Sequence, residues 1–355
     1  MQCLDALHIF ILAGGSGERF WPMSRCRLPK HLLRLFGKRS LLEETVLRIQ
    51  GIIPNERIFI LTNQMQLKEI CSQLPSFLNH IIIEPAKRDT APSAALATAI
   101  ARSKNPNAIV VLLPADAMIQ AADAFRRQLL EATTIAAKQP CTVVFSVLPT
   151  YPATGLGYLE LGHRQKYLAP SGSVVYNVRR FIEKPNRQVA QTYLIQGNFG
   201  WNAGIFVWQS EHFIRECVRS CPPLANFILQ FPAENSPSYI SEHFPHLPKN
   251  SLDYAIMEQA SSIFAIYSQF DWDDMGTLSS LIKYLGYDEQ RNALQGQTAI
   301  FNSQENIVIA SHRTVALCGV QNLIVVETSD AILVCHRDSV QDVKNVLPLL
   351  PEHLR

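Results

Sequence analysis

The stretch HIFILAGGSGERFWPMSRCRLPK, residues 8–30, joins a short apolar run to a loop rich in glycine and basic residues. The run HIFIL has the length and composition of a buried β-strand. The three glycines after it let the backbone turn sharply and bring its N–H groups close to a ligand. Arg19 adds a forked donor for phosphate oxygens, and Lys30 adds a point charge. The segment is either a turn-rich surface loop or a cradle for an anion, and the loop alone does not decide between them.

Two common phosphate-binding motifs do not fit this loop. The dinucleotide-binding pattern G-x-G-x-x-G needs a third glycine where Phe20 stands, and Pro22 interrupts the helix that should follow. The P-loop pattern ends in Gly-Lys-Ser/Thr, but Gly37 and Lys38 are followed by Arg39. Any ligand of this loop is therefore held in another way.

Apolar runs and helical segments alternate over the first two-thirds of the chain. The runs predict buried strands at 8–12, 57–61, 80–84, 108–113 and 142–148. Helical periodicity predicts helices at 40–50, 63–74, 91–103 and 121–138. Strand, helix and strand at this spacing imply parallel pairing with right-handed crossovers. We therefore expect an α/β domain with a mostly parallel, doubly wound sheet and ligands at the carboxyl ends of its strands.

The pattern of apolar runs in the sequence changes after about residue 290. Short apolar runs follow one another between polar turns, at 299–301, 307–310, 314–319, 323–327 and 331–335. No helical pattern intervenes until the last residues, so we expect a small all-β unit, either a short solenoid or a curled sheet. The polar stretch before it is predicted to be a linker. The expected domains are residues 1–286 and 297–355.

Composition excludes several classes of function. The 355 residues carry a formal net charge of +2, which argues against a partner that is nucleic acid or an anionic membrane. No apolar run reaches the ~18–20 residues of a membrane span. The N-terminal apolar run lacks a basic region before it and a small-residue cleavage site after it, so it is interpreted as a strand. The eight cysteines are scattered without a Cys-x-x-Cys pair, which indicates reduced thiols and a cytoplasmic location.

The loop resembles the signature of the sugar-nucleotide pyrophosphorylases, G-G-x-G-x-R-L followed by P-K. Its Trp-Pro-Met-Ser variant is similar to the mannose-1-phosphate guanylyltransferases. The resemblance continues in order through EPAKRDTAPSAALA, LLPADAMI, TGLGYLELG, FIEKP, WNAGIFVW, SLDYAIME and FDWDDMG. It covers essentially the whole chain and fits the short form of the family, which lacks a fused isomerase domain.

The resemblance implies a fold and a reaction. The fold is a Rossmann-like nucleotidyltransferase domain with a mostly parallel sheet, followed by a small domain of the left-handed β-helix type. The reaction transfers GMP from GTP to mannose 1-phosphate, with release of pyrophosphate and with Mg²⁺ as cofactor. The sugar phosphate attacks the α-phosphate in line and needs no general base, so catalysis is positioning and charge neutralisation. A homodimer in the cytoplasm, without nucleic acid or membrane partners, is expected, and the product would feed polysaccharide synthesis.

The resemblance also implies site residues, position by position. The expected catalytic residues are Arg19, Lys30 and Lys184. The expected nucleotide-binding residues are Leu12, Ala13, Gly14, Gly15, Gly17, Glu84, Arg88, Asp89 and Thr90. The expected sugar-binding residues are Gly155, Gly157, Glu183, Asn202 and Asp253. The expected metal ligands are Asp116 and Asp274.

Structural explanations remain open for several of these residues. Asp116 could be a helix N-cap instead of a metal ligand. Thr90 is also a candidate N-cap for the helix that begins at Ala91. Asp273 is expected to be a hydrogen-bonding neighbour of the ligand Asp274.

The sequence departs from the family pattern at His31, Asp89, Ala117, Leu156 and Ala203. These changes affect substrate preference more than reaction type. One alternative is therefore the same chemistry with another hexose 1-phosphate or nucleotide. A second is an inactive regulatory homologue that binds sugar nucleotide. Such a homologue is expected to lose one of the residues Arg19, Lys30, Asp116 and Asp274, and all four are present.

Overall fold

The computed structural model describes residues 2–165, 172–234 and 236–355. Strands β1–β9 are Leu7–Leu12, Ile58–Thr62, Ile81–Ile83, Ile109–Pro114, Thr142–Val147, Tyr158–Arg164, Val175–Ile182, Phe199–Gln209 and Ile263–Tyr267. Helices α1–α11 are Gln2–Asp5, Leu41–Ile49, Leu67–Gln73, Thr90–Lys104, Ala122–Lys138, Arg187–Gln196, Ser210–Ser220, Pro222–Leu229, Ser236–His243, Leu252–Ala255 and Ile282–Leu285. Strands β10–β15 are Ala293–Gln295, Thr298–Phe301, Ile307–Ala310, Val315–Cys318, Leu323–Glu327 and Ile332–His336. All five strands and all four helices predicted in the first part of the chain are confirmed.

In the described parts of the chain, the first nine strands form one sheet in the order β3-β2-β1-β4-β8-β5-β9-β7-β6. The pairs β3–β2, β2–β1, β1–β4 and β5–β9 are parallel. β8 runs antiparallel to β4 and β5, and β7 runs antiparallel to β9 and β6. Seven of the nine strands run in one direction, as the expected sheet requires, but the reversed strands β7 and β8, which the spacing did not predict, make five of the nine pairings antiparallel. Because β8 is reversed, its N-terminal half lies at the edge where the parallel strands end.

Side-chain alternation along the strands builds a core on each face of the sheet. Ile9 and Ile11 of β1 are fully buried on the face that carries α2, α3 and α5, whereas Phe10 is buried with α4. Helix α4 is rich in alanine and buried over most of its surface, since it lies between the sheet and α8. Burial on both faces explains why these strands are apolar without interruption.

Strands β10–β15 form the C-terminal unit. β10, β12 and β14 pair in parallel, and β11 pairs in parallel with β13. Each of these pairings therefore joins a strand to the next but one along the chain. The antiparallel strand β15 covers β14. Asn306 Nδ2 donates to Asn292 Oδ1 at 3.1 Å, and Asn306 Oδ1 accepts the Leu323 N–H at 2.9 Å, which joins successive coils. Of the two expected architectures, the solenoid is the one observed.

The stretch between residues 286 and 297 is not entirely a linker. Its last part forms β10, whose Ala293 pairs with Ile307 of β12. Gly296 follows β10 with a φ of +88°, and a Cβ there would lie 1.9 Å from the carbonyl oxygen of Ala310. The first coil of the solenoid therefore begins before residue 297, and the division into 1–286 and 297–355 stays a prediction.

The solenoid packs against the loop that follows β1. Phe20 and Trp21 share one apolar cluster with Ile307 and Val340. Trp21 Nε1 donates to the carbonyl oxygen of Leu354 at 2.8 Å. The C-terminal unit thus packs against the first domain, while the homodimer remains a prediction. Among the residues that the structure describes, no helix has the length and apolar character needed to cross a membrane.

Candidate active site

Two adjoining cavities lie at the carboxyl edge of β1–β4. The larger cavity, about 760 Å³, is lined by the expected nucleotide residues Leu12, Gly14, Gly15, Glu84, Arg88, Asp89 and Thr90, together with Asp116. The smaller cavity, about 310 Å³, is lined by the expected sugar residues Gly155, Gly157, Glu183, Asn202 and Asp253, together with Lys184, Asp116 and Asp274. The two share Leu12, Thr90, Pro114 and Asp116. The structure therefore brings both predicted groups of residues into one continuous cleft of ligand-binding size.

Lys30 lies behind Asp116, the carboxylate that lines both cavities. Its side chain is buried, and Nζ contacts Asp116 Oδ2 at 2.6 Å and the carbonyl oxygens of Asp274 and Met275 at 2.7 and 3.1 Å. An ammonium has three donors, and these three acceptors satisfy all of them. Lys30 thus ties the loop after β1 to the two loops that carry the predicted metal ligands.

Backbone hydrogen bonds join the loops of the two aspartates. Met118 and Asp273 exchange N–H···O bonds of 2.8 and 3.0 Å. The carboxylate of Asp271 accepts the N–H groups of Gln120 and Ala121, just before α5 begins at Ala122. Asp116 is therefore not the N-cap of α5, because Ala121 holds that position and Asp116 pairs with Lys30.

Asp273 and Asp274 have different surroundings. Asp273 is buried, accepts the Met275 N–H at 2.9 Å and pairs with Lys283. It is therefore a hydrogen-bonding neighbour, as predicted. Asp274 lines the smaller cavity, and Gly276 leaves room for it, since a Cβ on Gly276 would lie 2.7 Å from Asp274 Oδ2.

The two cavity-lining carboxyls are electrostatically distinct. Burial raises the pKa of Asp274, and the nearby carboxylates of Asp273 and Asp116 raise it further. The Lys30 ammonium lowers this pKa but does not cancel the rise. Burial also acts to raise the pKa of Asp116, but the Lys30 ammonium outweighs it and holds that pKa below its usual range. Two carboxylates that repel each other across a cleft suit a divalent cation, and Mg²⁺ commonly takes one or two protein carboxylates plus substrate phosphates. The donor set therefore fits Mg²⁺.

Two arginines next to the larger cavity have buried donors without partners. Arg19 Nε and Arg88 Nε are both buried and lack a hydrogen-bond acceptor within the described ranges. Arg88 lines the cavity, whereas Arg19 and Lys30 do not. Because an unsatisfied buried donor is costly, these atoms indicate an anionic ligand that is needed to complete the site.

Two expected nucleotide residues lie behind the cavity wall. Ala13 is fully buried, and its carbonyl oxygen accepts the hydroxyl of Thr62 at 2.9 Å. Gly17 has a φ of +61°, and a Cβ there would lie 2.5 Å from the Lys30 backbone nitrogen. Gly17 thus allows the loop to pack closely against Lys30, instead of lining the cavity.

The larger cavity also has lining residues that the sequence did not single out as ligands. Gln66 Nε2 donates to the carbonyl oxygen of Gly15 at 3.0 Å, and Asn63 Nδ2 donates to that of Gly14 at 3.3 Å. Both follow β2, so the strand-end rule that located the other loops could have located them. His31 is almost fully buried, and desolvation lowers its pKa to about 4, so it is neutral at pH 7.

The start of α4 differs from one expectation. Its N-cap is Asp89, whose Oδ1 accepts the Thr90 N–H at 2.8 Å. The Thr90 hydroxyl instead accepts the Leu252 N–H at 2.8 Å and so ties α4 to α10. The prediction of Thr90 as N-cap is therefore wrong, because the preceding carboxylate takes that position.

A charged cluster forms the far wall of the smaller cavity. Glu183 is buried and pairs with Lys184 Nζ at 2.5 Å. Burial raises the pKa of Asp253 to about 7, and the charge of Glu183 adds to the shift. One ammonium beside two carboxyl groups leaves acceptors for hydroxyl groups as well as a cation for a phosphate.

Three non-glycine residues at the cleft have a left-handed backbone. Asp89, Lys184 and Met275 have φ values of 70°, 44° and 49°. Asp89 and Lys184 line the cavities, and Met275 follows Asp274. Such conformations cost on the order of 1 kcal/mol each and are concentrated at functional sites.

Comparison with known proteins agrees with this arrangement. Residues 9–291 match the nucleotidyl transferase family, and residues 296–350 match the MannoseP isomerase/GMP-like β-helix domain. A mannose-1-phosphate guanylyltransferase of Klebsiella pneumoniae is 35% identical over 352 residues, which cover 97% of this chain and 74% of that protein. The chain belongs to the mannose-1-phosphate guanylyltransferase family.

Other relatives extend the likeness. The xanthan biosynthesis protein XanB of Xanthomonas campestris is 33% identical, over 97% of this chain and 73% of its own length. A crystal structure from Thermus thermophilus, described as a mannose-1-phosphate geranyltransferase, is 29% identical with a TM-score of 0.85, over 97% of this chain and 99% of that one. A Helicobacter pylori mannose-6-phosphate isomerase structure, 22% identical with a TM-score of 0.60 over 76% of this chain and 99% of that one, shares the fold.

The five departures from the family pattern all line the cleft. His31 and Asp89 line the larger cavity. Ala117, Leu156 and Ala203 line the smaller one. The changes thus lie in the cavity walls, and none of them replaces Lys30, Asp116 or Asp274.

Proposed function

We propose that this protein transfers GMP from GTP to mannose 1-phosphate and releases pyrophosphate, with GDP-mannose as the other product. The observation that carries the proposal is the position of Asp116, which pairs with Lys30 and lines both a cavity of nucleotide size and a smaller cavity, next to Asp274 in the smaller one. A reaction that joins two phosphorylated molecules needs its charged centre at such a junction.

The chemistry is one of positioning. The sugar phosphate is already ionised at neutral pH, so the protein does not have to remove a proton from the nucleophile. Holding both substrates in line can lower the barrier by roughly 7–11 kcal/mol. Cationic groups then offset the charge that builds up at the α-phosphate.

We propose the following roles for the larger cavity. The N–H groups of Gly14 and Gly15 and the free donors of Arg19 and Arg88 hold the triphosphate. Glu84, Asp89 and Thr90 lie at the nucleoside end. Lys30, behind Asp116, supplies positive charge near the transferring phosphate, and Gly17 and Ala13 fix the path of the loop that carries it.

In the smaller cavity, we propose that Lys184 binds the phosphate of the sugar. Glu183, Asn202 and Asp253 then bind sugar hydroxyls, and Gly155 and Gly157 leave room for the ring. Gly157 supports this role, since a Cβ there would lie 2.7 Å from Glu183 Oε2.

We propose that Asp116 and Asp274 hold Mg²⁺. When bound, the ion would neutralise charge on the phosphate oxygens as a Lewis acid. Titration of the protein with Mn²⁺, followed by electron paramagnetic resonance, tests the ligand set without reference to activity. Binding is expected in the wild type and not in Asp116→Ala or Asp274→Ala.

Pyrophosphate release tests the reaction. The purified protein is given Mg²⁺ and mannose 1-phosphate, with GTP, ATP, UTP, CTP and dTTP offered separately. Release with GTP alone, lost in Asp116→Ala and kept in the control Asp338→Ala at an exposed aspartate, is expected. Release with a different nucleotide would contradict the choice of GTP and would indicate that Asp89, at the nucleoside end, sets a different base preference. Binding of GTP without release, with any sugar phosphate, would favour the inactive regulatory homologue.

Two further properties are proposed. The first is a homodimer, for which the exposed apolar side chains of the solenoid, Phe301, Ile332 and Val334, offer a surface; light scattering tests it. The second is a cytoplasmic location, where the nucleotide and the sugar phosphate are at hand; cell fractionation tests it.

A further inference from the structure

A third cavity, the α2–α5 cavity, lies outside the active-site cleft. It has a volume of about 370 Å³ and is bounded by the segment after Leu33, by α2 and by the start of α5. None of its lining residues lines the larger or the smaller cavity within the described parts of the chain. Its volume is in the range of pockets that hold small molecules.

The lining of the α2–α5 cavity is positively charged. The charged residues that line it, among those described, are Arg39, Arg48, Arg126 and Glu44. Leu35, Phe36 and Leu47 add apolar surface. A guanidinium group presents paired donors that match the oxygens of phosphate, so this lining suits a small molecule with a phosphate at one end.

Arg48 is the residue that points to a ligand. It is only 6% exposed, and its guanidinium lies 5.7 Å from the centre of the Phe125 ring. No group in the described residues accepts a hydrogen bond from its side chain, although it lines the cavity. Glu44 and Asp271 act on it through charge alone. Burial lowers the pKa of Arg48 to about 10, so the group remains charged at neutral pH with its donors free.

Neighbouring groups hold the cavity in shape. Arg126 donates from Nε to the carbonyl oxygen of Arg48 at 2.6 Å and from Nη2 to that of Leu47 at 3.1 Å, so it is fixed at the end of α2. The other end of α2 carries a capping box between Ser40 and Glu43. Arg39 stands at the rim and pairs with Glu44 at 3.5 Å.

The cavity also adjoins the loop of Asp116, one of the two predicted metal ligands. Met118, Ile119 and Gln120 line it, two to four residues after Asp116. Met118 is the residue whose backbone pairs with Asp273, beside Asp274. A ligand in the cavity would therefore lie against Met118, whose backbone bonds to Asp273 join the loops of the two predicted metal ligands.

We propose that the α2–α5 cavity binds a small phosphorylated metabolite, held by Arg48 and Arg39, which changes the rate of the proposed reaction through the Met118–Asp273 bridge. The rate effect rests on the proposed function, whereas the binding does not.

Binding is tested with three probes of increasing size, glycerol 3-phosphate, ribose 5-phosphate and glucose 6-phosphate, with sulfate and citrate for comparison. Each is titrated calorimetrically into protein whose active site is saturated with GDP-mannose and Mg²⁺. We expect at least one phosphate ester to bind saturably, and Arg48→Met and Arg39→Gln to weaken it tenfold or more. Arg34→Gln is the matched control, because Arg34 is as exposed as Arg39 and also pairs with a glutamate of α2, at 3.7 Å.

Several outcomes would overturn the proposal. One is the absence of saturable binding by any ester. Another is equal loss in Arg39→Gln and Arg34→Gln, which would indicate a general charge effect. Arg48→Met removes a buried group and can unfold the protein. The titration of Arg39→Gln, a substitution of an exposed residue, is therefore enough to decide whether the cavity binds the ester. If sulfate or citrate binds as tightly as the esters, the phosphate assignment is wrong.

The rate is measured in parallel by pyrophosphate release. A twofold or larger change on adding the bound ester, absent in Arg39→Gln, supports the effector role, and binding without such a change overturns it. A protein that does not bind GDP-mannose contradicts the proposed function, and the titrations are then repeated without it. The comparison of Arg39→Gln with Arg34→Gln still decides the cavity.

Discussion

The two cavities of the cleft are built in different ways. Three predicted residues of the larger cavity each follow a parallel strand closely: Gly14 lies two residues after β1, Glu84 one residue after β3 and Asp116 two residues after β4. The smaller cavity instead draws Asn202 from within β8 and Asp253 from the short helix α10. A parallel half-sheet collects its ligand residues at strand ends by geometry, whereas the half with reversed strands gathers them from distant parts of the chain.

The largest expected effect concerns the junction of the two halves. Lys30→Met removes the ammonium that contacts Asp116 and the backbone of Asp274, so kcat should fall by about 10²–10³-fold. Pyrophosphate release measures it, with circular dichroism to confirm folding. A variant that stays folded and keeps its kcat would show that the two halves do not depend on this residue.

Substitution of two glycines in the same loop should affect different properties of the protein. Gly17→Ala forces a side chain against the Lys30 backbone at a left-handed position, so the free energy of unfolding should fall by about 1–3 kcal/mol. Gly15→Ala meets no atom within 4 Å and should leave stability within about 0.5 kcal/mol while raising the KM for GTP. Urea unfolding of both variants makes the comparison. Equal losses of stability in the two variants would contradict the assignment of Gly17 to loop packing and of Gly15 to nucleotide binding.

The two cavities should also separate in steady-state kinetics. Lys184→Met should raise the KM for mannose 1-phosphate about tenfold and leave the KM for GTP within about twofold, since a charge-assisted contact is lost in one cavity only. Arg88→Met should do the reverse. Each variant is the control for the other, and parallel changes in both constants would show that the cavities bind as one unit.

The smallest effect is one of pH on stability. Burial raises the pKa of Glu84 to about 7 from its ordinary 4.5, so the folded protein keeps a proton that the unfolded chain has released. Its contribution to stability therefore falls as pH rises from about 4.5 to about 7. Glu84→Gln should gain stability relative to the wild type between about pH 5 and pH 8, on the order of 1 kcal/mol. Thermal unfolding measures it, and the exposed Glu56→Gln should show no such trend.

The predictions from sequence succeeded where the signal is local. The buried strands, the helices between them and the loops at their ends follow from apolar runs and periodicity, and the stacked short strands of the C-terminal unit follow from their spacing. The reversed direction of β7 and β8 has no local signal, because an apolar run reads the same in either direction. Asn202 and Asp253 could therefore be placed in the site only by resemblance to a family.

Other features depended on which neighbour wins a hydrogen bond. Asp89 holds the cap of α4 instead of Thr90, and Asp271, more than a hundred residues away in the chain, binds the N–H groups just before α5 while Asp116 pairs with Lys30. The free donors of Arg48 and the position of Gly17 behind Lys30 likewise arise only when the loops are folded together. Competition between groups distant in sequence is what a linear pattern leaves undetermined.

The contact between the last residues and the loop after β1 has a practical consequence. Cys26 N–H donates to the Arg355 main-chain oxygen at 3.2 Å, and Trp21 donates to Leu354, so residue 355 lies within a few residues of Lys30 in the same loop. A purification tag or fluorescent fusion attached at residue 355 would start beside the loop that carries Lys30 and would compete with these two hydrogen bonds.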